Sequence, residues 1–508
     1  MRRAARQCEA PRVASAELRL GEETRPNKKL DKFAFRAENL HMKKKIAVLS
    51  CGWSYDFLTD FISGIKRAVD GKDTDVYVFN CYNYVEFNGY INNSGFSIYN
   101  LINYEDYDGV IILSDLIQNA RVLEKERQKI LAAGKPAISI NLAMKDISCL
   151  KVDNYTGAYE LMTHLIKEHG LKDFAWIGGK ETSIDIAERY KAYRTALTDN
   201  NIPINIENVH TIPTSSYNDA YEYLLNTMKA GATQPQAVVC ANDYIALAVM
   251  RIVEERGVKV PDQIKVIGYG DTIWGKTVVP AITTVRSNAE QIGFEAANRV
   301  LNPSGETQML KIKSSALYRA SCGCEYKIPA GGKSYALQIV DDLNQKEKFN
   351  TQIEMLNDTF TEATDVFSLL TNLEGLFQKS HLFEGPDFCI FLKADWSSVL
   401  INTEEKLPQN LSYGTQVQAI ASIQNDKKYP REILNVRDLI PGKMITEGSN
   451  IFLFMPIYNH SYVHGYYVCK NTLSFLNSNF GYVWTKTFGN AIERFRKRNM
   501  YKQMSMRK

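Results

Sequence analysis

Residues 237–270 read AVVCANDYIALAVMRIVEERGVKVPDQIKVIGYG. The short apolar run Ala237–Cys240 predicts a buried strand. Tyr244–Glu255 places apolar residues every three or four positions and predicts an amphipathic helix. Ile264–Ile267 predicts a second buried strand. Strand, helix and strand in that order form the unit from which parallel sheets are built.

The alternation continues outward from this stretch. Strands are predicted at Ile46–Ser50, Val76–Asn80, Gly109–Leu113, Pro136–Ile140, Phe174–Ile177 and near Val209–Ile212. Helices are predicted at Phe57–Val69, Leu123–Ala133, Tyr155–His169, Ile184–Thr198 and Asn218–Lys229. Gly134 and Pro136 supply the expected punctuation between helix and strand. The fold class is therefore α/β with parallel sheets. Residues 43–324 are long for one sheet, so two lobes are expected, with ligands bound in a crevice beyond the C-terminal strand ends.

The chain has 508 residues, 45% apolar and 23% charged, which excludes a wholly disordered protein. Its net charge of +4 is unevenly spread. Residues 1–42 contribute +4 and residues 493–508 contribute +6, leaving a body of −6 without a broad electrostatic footprint for nucleic acid. No apolar run reaches the ~18 residues of a membrane span. No apolar segment follows Met1-Arg2-Arg3 as in a secretory signal, and the nine cysteines are expected to be reduced in a cytoplasmic protein. Residues 1–42 read as a disordered leader or a misassigned start before Met42.

The character changes after Cys324. Pro329 and Gly331-Gly332 mark a linker, and a helix is expected across the rest of 325–380. In it Phe349, Ile353, Leu356, Phe360, Ala363, Phe367 and Leu370 repeat at spacings of four and three. Such a stripe serves either a coiled-coil dimer or core packing within one chain. Residues 381–492 form a third, α+β region, with strands at Phe388–Leu392, Ile451–Met455 and Tyr462–Cys469. A closing helix over Phe480–Met500 leads into the basic end, 493–508.

Catalytic and cofactor motifs are weak throughout. Gly332-Lys333-Ser334 lacks the first glycine of a phosphate loop, its place being taken by Lys327, and Gly178-Gly179-Lys180 fails similarly. Cys322-Gly323-Cys324 has no second ligand pair in the sequence, so no metal site is expected. His460 and His464 flank a probable turn and read as solvent-facing. Asp341-Asp342 reads as a solvated helix face. No nucleophile elbow and no His-Glu-x-x-His is present, so neither an enzyme nor a bound cofactor is expected. Loop chemistry at strand ends is richer. Trp53, Tyr55, Asp56 and Phe57 follow the first strand, Asp115 and Asn141 follow later ones, and Asp271 and Trp274 follow the strand ending at Gly268. Flat aromatic faces beside polar groups suit a small polar ligand of the sugar or nucleoside class.

Several segments in order resemble the sensor domain of LacI/GalR-type regulators, a two-lobed periplasmic-binding-protein-like fold. They are Val152–Ala158, Arg189-Tyr190-Lys191-Ala192-Tyr193, Ala241-Asn242-Asp243, Val260-Pro261-Asp262, Val266-Ile267-Gly268-Tyr269 and Ile282-Thr283-Thr284-Val285. The resemblance covers roughly 44–324. It implies that Arg189 grips a ligand and that Asn242 faces the cleft from the second lobe. Two positions depart from the family pattern. Gly270-Asp271 stands where many members have Asp-Asp, and Tyr55-Asp56-Phe57 where they often have Asn-Pro-Phe. The third region is similar, more loosely, to a GAF-like module of the kind found upstream of diguanylate cyclases, whose Gly-Gly-Asp/Glu-Glu-Phe signature is missing here. Paired apolar helices of a helix-turn-helix are not seen in residues 1–42. The expectation is a non-catalytic, homodimeric ligand sensor. The sensory portion of a cyclase and a DNA-binding repressor are the alternatives.

Overall fold

A computed structural model describes residues 43–506 except 53–54, 83, 86–90, 93, 180–182, 228–233, 326–334, 365, 380–386, 395–411, 425–426, 429–430, 460–461 and 473–479. The expectations for residues 1–42, Trp53, the 327–334 linker and His460 lie outside the described residues.

The first lobe comprises β1 (Lys44–Cys51), α1 (Tyr55–Val69), β2 (Thr74–Cys81), β3 (Gly109–Ile112), α2 (Ala120–Ala132), β4 (Ala137–Ile140) and β5 (Ser148–Asp153). Its strands are parallel in the order β5-β4-β3-β1-β2. Every residue of β2 is buried, as a sheet covered on both faces requires.

The chain then crosses to the second lobe: α3 (Asn154–Lys167), β6 (Phe174–Gly178), α4 (Ile184–Asp199), β7 (Val209–Thr211), α5 (Tyr217–Thr227), β8 (Ala237–Cys240), α6 (Asp243–Glu255), β9 (Lys265–Ile267) and α7 (Ile273–Thr277). Its four strands form a separate parallel sheet, β9-β8-β6-β7. Next come β10 (Thr284–Arg286), α8 (Ala289–Leu301), β11 (Met309–Lys313) and β12 (Ser315–Leu317). β10 and β12 pair with each other, while β11 returns to the first lobe beside β5. There α8 crosses α1 at two glycines. A Cβ on Gly293 would sit 1.9 Å from the Phe61 carbonyl oxygen, and one on Gly64 would sit 1.9 Å from that of Glu290. Only glycine permits so close an approach.

The C-terminal region comprises α9 (Tyr335–Glu362), α10 (Val366–Lys379), β13 (Asp387–Lys393), β14 (Gln416–Gln424), β15 (Glu432–Asn435), β16 (Ile451–Asn459), β17 (Tyr462–Lys470) and α11 (Phe480–Met506). Its sheet is antiparallel, β15-β14-β13-β17-β16. It does not stand apart: β16 pairs in parallel with β2, from Ile451↔Val76 to Phe454↔Phe79. First lobe and C-terminal region thus share one sheet of twelve strands among the described residues. Phe454 stacks on Phe79 at 4.8 Å, and the backbone N–H and side-chain amide of Asn450 donate to Asp75 Oδ1 at 3.0 and 2.8 Å. Two hydrophobic cores straddle this seam, each mixing first-lobe residues with residues beyond 355. The third core draws only on residues 158–324.

Two expectations are corrected. The helix expected across 325–380 is two helices. The Thr364 N–H donates to Ser368 Oγ at 3.0 Å, a local side-chain bond of the kind that ends one helix and opens another. His464 is not solvent-facing. It is fully buried on β17, 3.7 Å from Glu493, and burial pushes its pKa down to about 3, with Arg496 and Lys393 adding to the shift. In the apolar stripe, Leu356, Phe360 and Ala363 are buried in their own chain, Phe360 meeting Phe488 edge-on at 5.1 Å. No helix among the described residues is long and apolar enough to cross a membrane.

Candidate ligand crevice

On the first lobe, Ser50 and Asn80 are register partners at the C-terminal ends of β1 and β2, and both are fully buried. The Ser50 hydroxyl and both polar atoms of the Asn80 amide make no hydrogen bond among the described residues. Buried polar groups are normally satisfied, and unsatisfied ones call for an explanation. Asp115 follows β3. Its Oδ2 accepts from Asn141 Nδ2 at 2.6 Å, while its buried Oδ1 has no partner of good geometry. Burial pushes its pKa up to about 6, against the Asn141 hydrogen bond and with help from the charge of Asp185 on the second lobe. Asn141 adopts a left-handed φ of 63° and accepts from the Val152 N–H at 2.9 Å.

On the second lobe, Arg189 on α4 is the hub. Its Nε and one terminal nitrogen donate to Asn154 Oδ1 at 3.0 and 2.9 Å, and the other terminal nitrogen donates to the Ala241 carbonyl at 2.9 Å. The guanidinium lies 3.6 Å from the centre of the Tyr269 ring, a cation–π contact. Asn154 opens α3 at the point where the chain leaves the first lobe, and its amide donates to Asp185 Oδ1 at 3.0 Å. The buried Tyr269 hydroxyl lies close to Ser314 and Arg189 without a hydrogen bond of good geometry.

Other residues singled out in the sequence have structural work. Asn242 caps α6, accepting from the Ile245 N–H at 2.8 Å, and its amide donates to the Ser215 carbonyl at 2.9 Å. Asp271 is buried among three cations: Arg319, Arg286 at 2.6 Å and Lys276 at 3.3 Å. Trp274 is 39% exposed and lines a groove of about 700 Å³ with Met250, Val253 and Val279. Phe57 stacks on Phe61 at 6.0 Å and packs against the first-lobe core. Tyr55 and Asp56 open α1, but their side chains lie outside what is described. Sequence reasoning did not single out Ser50, Asn80, Asn154 and Tyr269, the buried polar groups described above. Their one sequence signal was position, at strand ends.

Residues 163–322 match the family model described as Periplasmic binding protein-like domain. The probable HTH-type transcriptional repressor ExuR of Bacillus subtilis is 26% identical over 286 residues, 54% of this chain and 78% of that protein. Within this chain, residues 163–322 thus form a periplasmic-binding-protein-like domain. The HTH-type transcriptional regulator GalR of Lacticaseibacillus casei is 28% identical over 203 residues, 38% of this chain and 61% of its own length. This chain therefore spans under two thirds of that GalR. A solved structure of a LacI family transcriptional regulator from Enterococcus faecium with bound ribose covers 55% of this chain and 98% of its own, at 18% identity and a TM-score of 0.45.

The fold brings His164 and His169, distant in sequence, to within 4.8 Å of the Cys322 and Cys324 sulfurs.

Proposed function

We propose that this chain is a non-catalytic, ligand-responsive transcription regulator, whose sensor domain closes its two lobes on a small polar molecule of the sugar or nucleoside class. The carrying observation is the facing arrangement of Asp115 on one lobe and Asp185 with Arg189 on the other, together with unsatisfied buried polar atoms at Ser50, Asn80 and Asp115. Hydroxyl-rich ligands supply donors and acceptors for such groups, and the Tyr269 ring gives a flat face.

A ligand bridging both lobes favours the closed state by its differential affinity for it. Arg189 ties the crevice to Asn154 at the lobe crossing, so closure is felt at the hinge. The first lobe shares a sheet with the C-terminal region, so closure moves the second lobe relative to that region. The antiparallel sheet of 381–492, flanked by α9, α10 and α11, supports reading it as a GAF-like module that receives this movement. We assign homodimerisation to the start of α9, where Leu337, Val340 and Leu343 recur every third residue and are about half exposed. The names of the relatives favour transcriptional control over a cyclase input.

The test is a thermal-shift screen of pentoses, hexoses and nucleosides on the full chain. A binder at ~100 times its Kd adds about 2.7 kcal/mol. Tyr269→Phe and Asp115→Asn are expected to abolish that shift without lowering ligand-free stability, since each removes a group left unsatisfied in the fold. A shift retained in both variants overturns the assignment, as does a screen in which nothing binds.

A further inference from the structure

His164 sits in the last turn of α3 and His169 five residues on, while Cys322 and Cys324 lie where the chain leaves the second lobe. One ligand atom from each of the four lies within 4.8 Å of the others. His164 Nε2 is 3.1 Å from His169 Nε2 and 3.3 Å from Cys324 Sγ, and Cys324 Sγ is 3.4 Å from His169 Nε2. Hydrogen bonds cannot close this triangle. An imidazole nitrogen either donates or accepts, along one in-plane direction, so at least one close edge has no hydrogen to hold it. A cation at the centre satisfies every edge.

The dimensions fit a specific ion. Zinc binds nitrogen at about 2.0–2.1 Å and thiolate at about 2.3 Å, which puts the corners of its tetrahedron roughly 3.3–3.8 Å apart. The three close edges, at 3.1, 3.3 and 3.4 Å, fall at or slightly below that range. Gly323, at a φ of 92°, provides the turn that brings both sulfurs to one side. Cys322 is fully buried and now donates to the Arg319 carbonyl at 3.2 Å, a bond that thiolate coordination would replace. Tyr318 stacks on the His164 ring with centroids 3.9 Å apart and so fixes its plane. Two thiolates neutralise a divalent ion, so the nearby Lys265 ammonium faces no net charge of its own sign.

We propose that His164, His169, Cys322 and Cys324 form a tetrahedral Cys2His2 zinc site that fastens the exit of the sensor domain to α3. The staple holds the end of the sensor domain against α3 of the second lobe, at the point where the chain leaves that lobe. The site does not depend on the ligand proposed above.

Cobalt(II) alone is titrated into the chelator-treated, reduced full chain. One equivalent is expected to produce the visible bands of tetrahedral cobalt with thiolate charge transfer, displaced by zinc. Cys324→Ser and His169→Gln, both at partly exposed positions, are each expected to weaken zinc binding at least about 100-fold, since even outer-shell changes cost 10–100-fold. Their circular dichroism should stay that of the parent. Cobalt without thiolate bands overturns the proposal. So do unchanged affinity in both variants and a Cys322–Cys324 disulfide in protein kept under reducing conditions. Should a variant fail to fold, the cobalt spectrum of the parent chain decides.

Discussion

The two lobes are built from the same parts, parallel strands with helices packed on the sheet, yet their sheets end differently. The second lobe stops at four strands, and its core is closed within residues 158–324. The first lobe continues through β2 into β16, and both of its cores depend on residues beyond 355. One lobe is therefore part of a larger frame, and the other keeps a sheet of its own. Under the proposed function, closing the crevice would displace the second lobe against that frame.

The seam offers the largest effect. Phe454 is fully buried and meets Phe79 and Tyr77 of β2 as well as Tyr466 of β17. Phe454→Ala is expected to cost about 3–5 kcal/mol. Hydrogen exchange should show β1–β3 and β13–β17 losing protection together while β6–β9 keep theirs. Unchanged protection in β1–β3 would break the comparison.

The converse variant lies in the second lobe. Asp271→Asn leaves Arg319, whose side chain is only 4% exposed, without its counter-charge. Breaking a buried pair from one side costs about 3 kcal/mol or more. Protection should fall in β8 and β9 and hold in β2 and β16. Equal losses in both would show that the lobes unfold as one unit.

A smaller effect belongs to the crevice between them. Burial raises the Asp115 pKa to about 6. A carboxyl whose pKa is higher folded than unfolded favours the native state below its unfolded value, near 3.9, and that contribution is lost as pH rises through 6. Relative to Asp115→Asn, the parent chain should therefore lose roughly 2–3 kcal/mol between pH 4 and 7, at 1.36 kcal/mol per unit. Denaturant titrations of both proteins at the two pH values measure it. A flat difference would mean that Asp115 reaches water and that the crevice is open at that point.

The alternating βαβ units were legible because strands buried on both faces read as plain apolar runs. Strands lacking such a run were not. β11, MLKIK, alternates with its lysines outward at a sheet edge, and β5 interrupts its apolar residues with Lys151. Arg189 was legible only through family resemblance. Ser50 and Asn80 were not, since a serine or asparagine at a strand end is unremarkable until register places the two side by side. The histidine pair near 164–169 was invisible as a partner for Cys322 and Cys324 because about 155 residues separate them. The seam leaves only a partial trace in the sequence. A strand as apolar as β2 implies cover on both faces, but nothing local names the segment that also covers its edge.

That edge has a consequence for the protein's synthesis. Asn450 docks on Asp75 across 375 positions of sequence. At 5–20 residues per second, a ribosome delivers the partner strand about 20–75 s after β2 has emerged. Throughout that interval the nascent chain carries a long apolar strand with an open backbone edge, the kind of surface that recruits other unfinished chains. Expression in cells is thus where this architecture is most exposed.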